Sequence, residues 1–195
     1  MPLKIFEVRY LDMIGRCQQA GAPFGVVTLT EGQEVRQRAH DLADGGAGFV
    51  REGFHPVGVL ARIEKLDKPQ PGLYFVQCRG LQRFHITRRE QLPHGLWTAD
   101  VTLDAPEPSL TIPEHLLPAR LALERVVQGL EQQSASEPSP IVPPFQWDDC
   151  AWVANRWAEL LPLPLELKYR LMSLDSPVLR LELVTDLLER MGLQD

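Results

Sequence analysis

The pattern of apolar and polar positions changes near residue 108 of the 195-residue chain. Before that point, short stretches alternate between apolar and polar residues, which is typical of half-buried strands. After it, apolar residues recur every three or four positions, which is typical of amphipathic helices. The pattern therefore predicts an α+β fold, with a β-rich domain over residues 1–108 and an all-helical domain over 109–195.

The first part is predicted to hold one helix and several short strands. Apolar residues spaced by three and four positions form one stripe of a helix over 9–20, which Gly21 ends with a left-handed turn. Strands are predicted over 24–30, 57–66, 73–79, 83–87 and 96–103. The glycine-rich stretch 36–54 is predicted to be a loop. Strands this short, separated by turn signals, indicate a closed or half-closed barrel.

The second part carries helix start signals. Thr111 and Glu114 have capping-box spacing, and Pro118 requires the first turn to kink or to be separate from the helix. Asp148 or Asp149 is expected to cap a later helix. Helices are predicted over 119–133, 150–161, 164–173 and from 177 onward, with a proline-rich linker over 134–144. The inner stripe of the last helix is predicted to be Leu181, Val184, Leu188 and Met191.

Composition and charge narrow the class of protein. The apolar fraction of 44% is ordinary for a globular protein, and no apolar run approaches the ~20 residues of a membrane span. The net charge of −6 argues against a nucleic-acid groove. Three widely spaced cysteines favour a reducing compartment, so a cytoplasmic location is predicted.

The sequence shows no arrangement typical of a catalytic, cofactor or metal site. The five histidines have no HxH or HxxxH spacing, and the serines lie in predicted linkers and caps. His85 is expected to lie across from Cys78 on a neighbouring strand, but two ligands do not complete a zinc site. No phosphate-binding loop with its GKS/T ending occurs. We therefore predict that the protein is not an enzyme and binds no cofactor or metal.

The segment from Pro2 to Tyr10 reads as an extended stretch that turns into a helix. Its apolar residues, Leu3, Ile5 and Phe6, are expected to leave water. Glu7 is expected either to favour the amino end of the helix or to pair with Arg9 as an architectural clamp. The signature comprises Pro2, Leu3, Ile5, Phe6, Glu7, Arg9 and Tyr10.

This signature resembles the P-L-x-I-F-E-x-R-Y motif of the Lon protease amino-terminal domain family. Further matching segments are Phe24-Gly25-Val26, Gly58 to Ile63 and Gly80 to Phe84. The resemblance implies a PUA-like β-barrel followed by a helical bundle. It also implies a non-catalytic, stand-alone module that binds unfolded or tagged polypeptides, because the family's ATPase and protease residues lie in other domains.

Two expectations depend on the resemblance. The family carries one more strand upstream, so either the start codon lies further upstream or this version lacks an edge strand. We favour the first alternative, because losing the strand would expose backbone donors and acceptors along its neighbour. Apolar residues beside the strands either fill the core or form a protein-binding surface for polypeptide clients or for a protease or chaperone partner. The candidate surface residues are Phe54, Tyr74, Leu92 and Trp97.

A second hypothesis follows from the RNA-binding PUA-like barrels. Basic residues of the first part would have to converge on one face to hold phosphates. Those residues are Arg36, Arg38, Arg51, Arg83, Arg88 and Arg89. The acidic balance of the chain makes this hypothesis the weaker of the two.

Overall fold

The computed structural model of the chain describes residues 1–32, 52–133, 141 and 143–193. It contains two compact units, Met1–Pro106 and Glu107–Asp195. The first unit holds an antiparallel sheet and a helix, and the second holds helices. The predicted α+β class is therefore confirmed. The predicted loop over 36–54 and the predicted linker over 134–144 lie mostly outside the described residues.

The described residues of the first unit form a five-stranded antiparallel sheet and one helix. Its elements are β1 (Pro2–Ile5), α1 (Val8–Ala20), β2 (Phe24–Glu31), β3 (Gly53–Gln70), β4 (Leu73–Gln91) and β5 (Trp97–Leu103). The strand order is β1-β4-β3-β2, and β5 pairs with the far half of β4. Register shifts interrupt the β2–β3, β3–β4 and β4–β5 ladders, and such irregularities bend a sheet.

The two strands predicted over 73–79 and 83–87 are one continuous strand, so that prediction is wrong. Val59 pairs with Arg83 and Ala61 pairs with Gly80, which leaves one extra residue on β4. Gly80 therefore lies at a β-bulge, which keeps the strand paired through a segment that reads as a turn in the sequence. The start of β3 is also earlier than predicted, because Leu29 pairs with Phe54 inside the expected loop.

Helix α1 closes over the sheet through the predicted stripe. Ile14 is fully buried and packs in one cluster with Phe24, Ala61, Val76 and Cys78. Gly21 ends the helix with φ 62°, as the sequence predicts, and its N–H lies 3.4 Å from the Gln18 carbonyl. The core of the first unit therefore lies between one helix face and the middle of β3 and β4.

In the part of the second unit that the structure describes, a short 3-10 helix is followed by four α-helices. They are the 3-10 helix (Glu114–Leu116), α2 (Leu117–Gln133), α3 (Cys150–Leu160), α4 (Leu165–Ser173) and α5 (Pro177–Met191). The separate first turn before Pro118 is as predicted. Asp149 caps α3, because its Oδ1 accepts from the Trp152 N–H at 2.7 Å. Ser176 caps α5 in the same way.

Two expectations for this unit are wrong. Thr111 does not cap a helix, because its extended backbone forms a β-bridge with Asp149 and Pro113 takes the cap position instead. Met191 is 42% exposed rather than part of the inner stripe, since it is the last residue of α5. The other three stripe residues, Leu181, Val184 and Leu188, are fully buried as predicted.

A buried arginine holds the second unit together. Arg180 of α5 is 1% exposed and donates to the Leu171 and Leu174 carbonyls at the end of α4. Its guanidinium also pairs with Glu107, with Nη1 3.0 Å from Oε2, and contacts Asn155 of α3. The segment before the first helical turn is therefore tied to three helices.

None of the helices in the described residues is long and apolar enough to cross a membrane.

Candidate functional site

Arg9 in the first turn of α1 lies at the centre of a buried polar cluster. Its Nε donates to Glu7 at 3.0 Å, and its Nη2 lies 3.1 Å from Oε1 of Glu52. Its Nη1 donates to the Gly95 carbonyl at 2.7 Å. We call Glu7, Arg9, Glu52 and Gly95 the Arg9 cluster. It joins the start of the helix, the residue before β3 and the β4–β5 hairpin.

The structure decides between the two expectations for Glu7. Glu7 occupies the cap position of α1, but its side chain makes no capping hydrogen bond. It pairs with Arg9 instead, which is the geometry of the expected clamp. Burial by itself lowers the pKa of Arg9, but the hydrogen bond to Glu52 and the neighbouring negative charges outweigh it and raise the pKa above its usual value. The guanidinium therefore stays charged.

The Arg9 cluster also positions an aromatic pair. The Trp97 indole N–H donates to Oε2 of Glu52 at 2.7 Å. The Phe54 ring packs edge-on against Trp97 at 5.3 Å between centroids. Arg89 lies over both rings, with its Cζ 4.5 Å from the centre of Phe54 and 5.6 Å from that of Trp97. The aromatic pair, Phe54 and Trp97, is thus fixed from one side by a carboxylate and contacted by an exposed cation.

The structure brings two of the four candidate surface residues into contact and places a third in the neighbouring hairpin. Phe54 and Trp97 are in contact, and Leu92 closes the β4–β5 hairpin with its N–H 2.8 Å from the Leu96 carbonyl. Tyr74 lies elsewhere in the unit. It is the second residue of β4, pairs with Ile5 of β1, packs against the core and lies below the Lys68 ammonium.

Sequence reasoning missed Glu52 and the role of Arg89. Glu52 lies 43 residues from Arg9, in a stretch where no periodic pattern gives a register. In the sequence, Arg89 is one of the basic residues of the RNA-binding hypothesis, and nothing there places it beside the aromatic rings. The sequence does indicate that such a partner exists, because an arginine buried in an apolar segment needs an acidic partner. It does not indicate which residue that partner is.

The remaining signature residues divide between the core and the surface. Leu3 and Ile5 pack against the buried cluster, but Phe6 is 48% exposed, so the expectation that it leaves water is wrong. Side chains alternate along a strand, and Leu3 and Ile5 take the inward positions of β1. Pro2 is exposed and Tyr10 is half-buried below the Arg9 guanidinium.

The expected position of His85 is also wrong. His85 and Cys78 lie on the same strand, β4, because that strand continues through Gly80. His85 instead lies beside Asp104, with Nε2 3.1 Å from Oδ1, and Arg83 pairs with the other oxygen at 3.0 Å. Among the described residues, no group of three or more His, Cys, Asp or Glu side chains is placed to hold a metal ion.

The described residues do not show the basic face that the RNA-binding hypothesis requires. Arg83 is paired with Asp104, while Arg88 and Arg89 are exposed. The other three, Arg36, Arg38 and Arg51, lie outside the described residues.

Comparison with models of known protein families matches residues 1–190 to the ATP-dependent protease La (LON) substrate-binding domain. The chain belongs to this family. A Lon N-terminal domain protein from Xanthomonas campestris is 28% identical in sequence, with a TM-score of 0.65 over 95% of this chain and 88% of that one. A search of curated proteins found no match.

A second solved structure shares the fold of this LON substrate-binding domain. It is the N-terminal domain of the Mycobacterium avium complex Lon protease, at 16% identity and a TM-score of 0.54, again over 95% of this chain and 88% of that chain. The sequence resemblance that starts at the Pro2–Tyr10 signature is therefore confirmed, and it covers the helical unit as well.

Proposed function

We propose that this LON substrate-binding domain is a non-catalytic module that binds unfolded or extended polypeptides. The observation that carries the proposal is the match of residues 1–190 to a family described as substrate-binding. The partners would be polypeptide clients, or a protease or chaperone that uses the module to obtain them. A cytoplasmic location and the absence of any catalytic activity are parts of the same proposal.

The aromatic pair is the contact surface that we propose for the client. Trp97 and Phe54 are half-buried, so part of each ring remains accessible. The hydrogen bond from Trp97 to Glu52 fixes the indole before a ligand arrives, which reduces the entropy lost on binding. Aromatic residues held in this way are frequent anchors of protein contacts.

Other exposed apolar residues of the first unit support a polypeptide ligand. Phe75 and Leu81 of β4 are 45% and 44% exposed, and Val8 at the start of α1 is 80% exposed. Apolar side chains left in water in this way favour contact with apolar segments of another chain. Folded clients bury such segments, so the unfolded state is the expected ligand.

A binding assay tests the proposal. The purified chain is titrated into labelled α-lactalbumin that has been reduced and carboxymethylated, and into the native form of the same protein. We expect binding of the unfolded form alone. Phe54→Ala is expected to weaken binding about fivefold, the loss of a side chain that contributes about 1 kcal/mol. Equal binding of both forms, or no binding of the unfolded form, contradicts the proposal.

A matched control separates the aromatic pair from exposed apolar surface in general. Leu165 at the start of α4 is 59% exposed and lies in the second unit. Leu165→Ala is expected to bind the unfolded form as the wild type does. If it weakens binding as much as Phe54→Ala does, the aromatic pair is not the contact surface.

A further inference from the structure

The strand β5 forms one edge of the sheet. Within residues 1–32 and 52–106, the strand that pairs with it is β4, and the register runs from Gln91–Trp97 to Phe84–Leu103. The opposite side of β5 faces none of the other described strands. Residues Ala99 to Leu103 are all exposed. Among the described strands, the backbone groups on that side therefore have no ladder partner.

The direction of these backbone groups follows from one hydrogen bond. The Asp104 N–H donates to the Arg83 carbonyl at 3.0 Å, so Asp104 directs its backbone toward β4. Successive residues of an antiparallel strand direct their backbone groups alternately toward and away from the neighbouring strand. The bulge at Thr87 lies on β4, so it does not interrupt this alternation along β5. Consequently Leu103, Val101 and Ala99 direct their N–H and C=O groups away from the sheet.

The side chains of the same edge are apolar and incompletely covered. Leu103 lies opposite Phe84 and Val101 lies opposite Ile86, and directly opposed residues share a face of the sheet. Phe84 is 2% exposed, yet Leu103 is 47% exposed and Val101 is 39% exposed. The inner face of the sheet therefore continues to an edge where apolar area remains open.

The sequence of this edge carries little of the usual protection against pairing. Exposed edge strands are commonly protected by lysine, by proline or by a bulge. The seven residues of β5 include no lysine and no proline, and the bulge in the β4–β5 ladder lies on β4. Asp100 is the single charged residue of β5, and it lies in the middle of the strand.

The position of Asp100 indicates the occupant. If β5 paired antiparallel with a second copy of itself about its centre, Asp100 would lie directly opposite the Asp100 of the other copy, and like charges in that arrangement are destabilising. A foreign segment with a neutral or basic residue at that position has no such penalty. The charge therefore favours a different polypeptide over a second copy of this chain.

We infer that β5 binds an extended polypeptide segment by adding it to the sheet as a further strand. The segment has apolar residues at alternate positions beside Val101 and Leu103, and a neutral or basic residue opposite Asp100. Main-chain hydrogen bonds supply affinity that depends little on sequence, which suits clients of diverse sequence. The inference rests on the proposed function and names how that polypeptide is held.

The first test changes the ligand and leaves the protein intact. The probe is a labelled peptide of alternating valine and threonine with one central lysine, compared with the same peptide N-methylated at alternate amides. N-methylation removes the donors that would reach β5. We expect affinity to fall about tenfold, as for the loss of two or three hydrogen bonds. Equal affinity of the two peptides overturns the inference.

The second test changes the edge itself. Ala99→Pro removes one outward N–H without removing a hydrogen bond to β4, because proline is tolerated where that N–H faces solvent. We expect about fivefold weaker binding of the peptide and of unfolded α-lactalbumin, the loss of about one hydrogen bond. Ala99→Ser keeps the N–H and is expected to bind as the wild type does. Circular dichroism checks that both variants are folded.

The outcomes separate this inference from the proposed function. If unfolded α-lactalbumin binds to wild type and Ala99→Pro equally, the inference is overturned and the proposed function stands. If unfolded polypeptide does not bind at all, both are overturned. If sedimentation shows a dimer that Ala99→Pro converts to a monomer, β5 binds a second copy and the inference is wrong.

Discussion

At the scale of single residues, a buried arginine organises each unit. Arg9 is 6% exposed and faces two carboxylates from different parts of the chain, while Arg180 is 1% exposed and faces Glu107. A buried charge of this kind needs all of its partners, because removing one leaves the others without compensation in a low-dielectric interior. Each pair therefore specifies where distant segments meet, in addition to any stability that it contributes.

The Arg9 cluster predicts a large effect of one substitution. Arg9→Met leaves the largely buried Glu52 carboxylate without its cation, so we expect the free energy of unfolding to fall by about 3–5 kcal/mol. Urea unfolding followed by circular dichroism measures it. Arg9→Met combined with Glu52→Gln is expected to recover part of the loss. A loss below about 1 kcal/mol for the single variant would show that the cluster is unimportant for folding.

The cysteines predict an order of thiol reactivity. Burial, assisted by the charges of Asp149 and Glu182, raises the pKa of Cys150 to about 11, and burial also raises the pKa of Cys78. The thiolate is the reactive species, so at about pH 8 both thiols remain protonated. Burial raises the pKa of Cys17 as well, but Cys17 is only half-buried, so we expect it to react first with Ellman's reagent. Reaction of all three thiols at one rate in the folded protein would contradict the buried positions.

At the scale of elements, the middle of the sheet depends on glycine beneath an aromatic ring. A Cβ on Gly58 of β3 would lie 2.4 Å from Cζ of Phe84 and 2.6 Å from the Val26 carbonyl oxygen. Both neighbours are fixed, one as a buried ring and the other as backbone. The close approach of β2, β3 and Phe84 therefore requires glycine at this position.

Gly58→Ala is predicted to destabilise the protein by about 1–3 kcal/mol, the usual cost of overpacking. Gly80→Ala is the matched control on β4, because a Cβ there would lie 3.6 Å from Val59 in ordinary contact. We expect its effect to be much smaller. Thermal unfolding of both variants provides the comparison, and equal midpoints would contradict the packing described here.

Elements defined by local signals were predictable from the sequence. The end of α1 at Gly21 and the cap of α3 at Asp149 follow from residue types whose effect extends over one helical turn. The strand ends were not predictable in the same way. Gly80 reads as a turn, and its bulge is visible only once β3 is paired alongside. Thr111 has the capping-box spacing, but its backbone forms a β-bridge with Asp149, which is distant in the sequence.

The candidate site was predictable in part for the same physical reason. Phe54 and Trp97 were identifiable as apolar residues beside strands, and Arg9 was identifiable from the signature. Glu52 was not, because pairing over 43 residues depends on where the chain returns and not on local periodicity. A one-residue change of register would have moved these side chains to the other face.

At the scale of the whole molecule, each unit has its own buried core. The division into domains at residues 108 and 109 remains a prediction, and Glu107 makes the boundary testable. A fragment that begins at 105 retains the pair between Glu107 and Arg180, whereas one that begins at 109 leaves Arg180 buried without its carboxylate.

The two fragments should therefore differ in stability. We expect the fragment 105–195 to unfold cooperatively, and the fragment 109–195 to be less stable by about 3–5 kcal/mol. Urea unfolding of both measures the difference. Glu107→Gln in the longer fragment, which keeps a hydrogen-bonding side chain, is expected to lie between them. Equal stability of the two fragments would place the domain boundary after Glu107.

The central claim is that the molecule binds polypeptide through apolar and main-chain contacts. The most direct measurement is the affinity for unfolded α-lactalbumin and for a single-stranded RNA at about 50 and about 200 mM salt. We predict that the polypeptide binds at both concentrations with nearly the same affinity, because apolar and main-chain contacts release few counterions. Binding of the RNA alone, with an affinity that falls tenfold or more on adding salt, would contradict the account and favour the RNA-binding hypothesis.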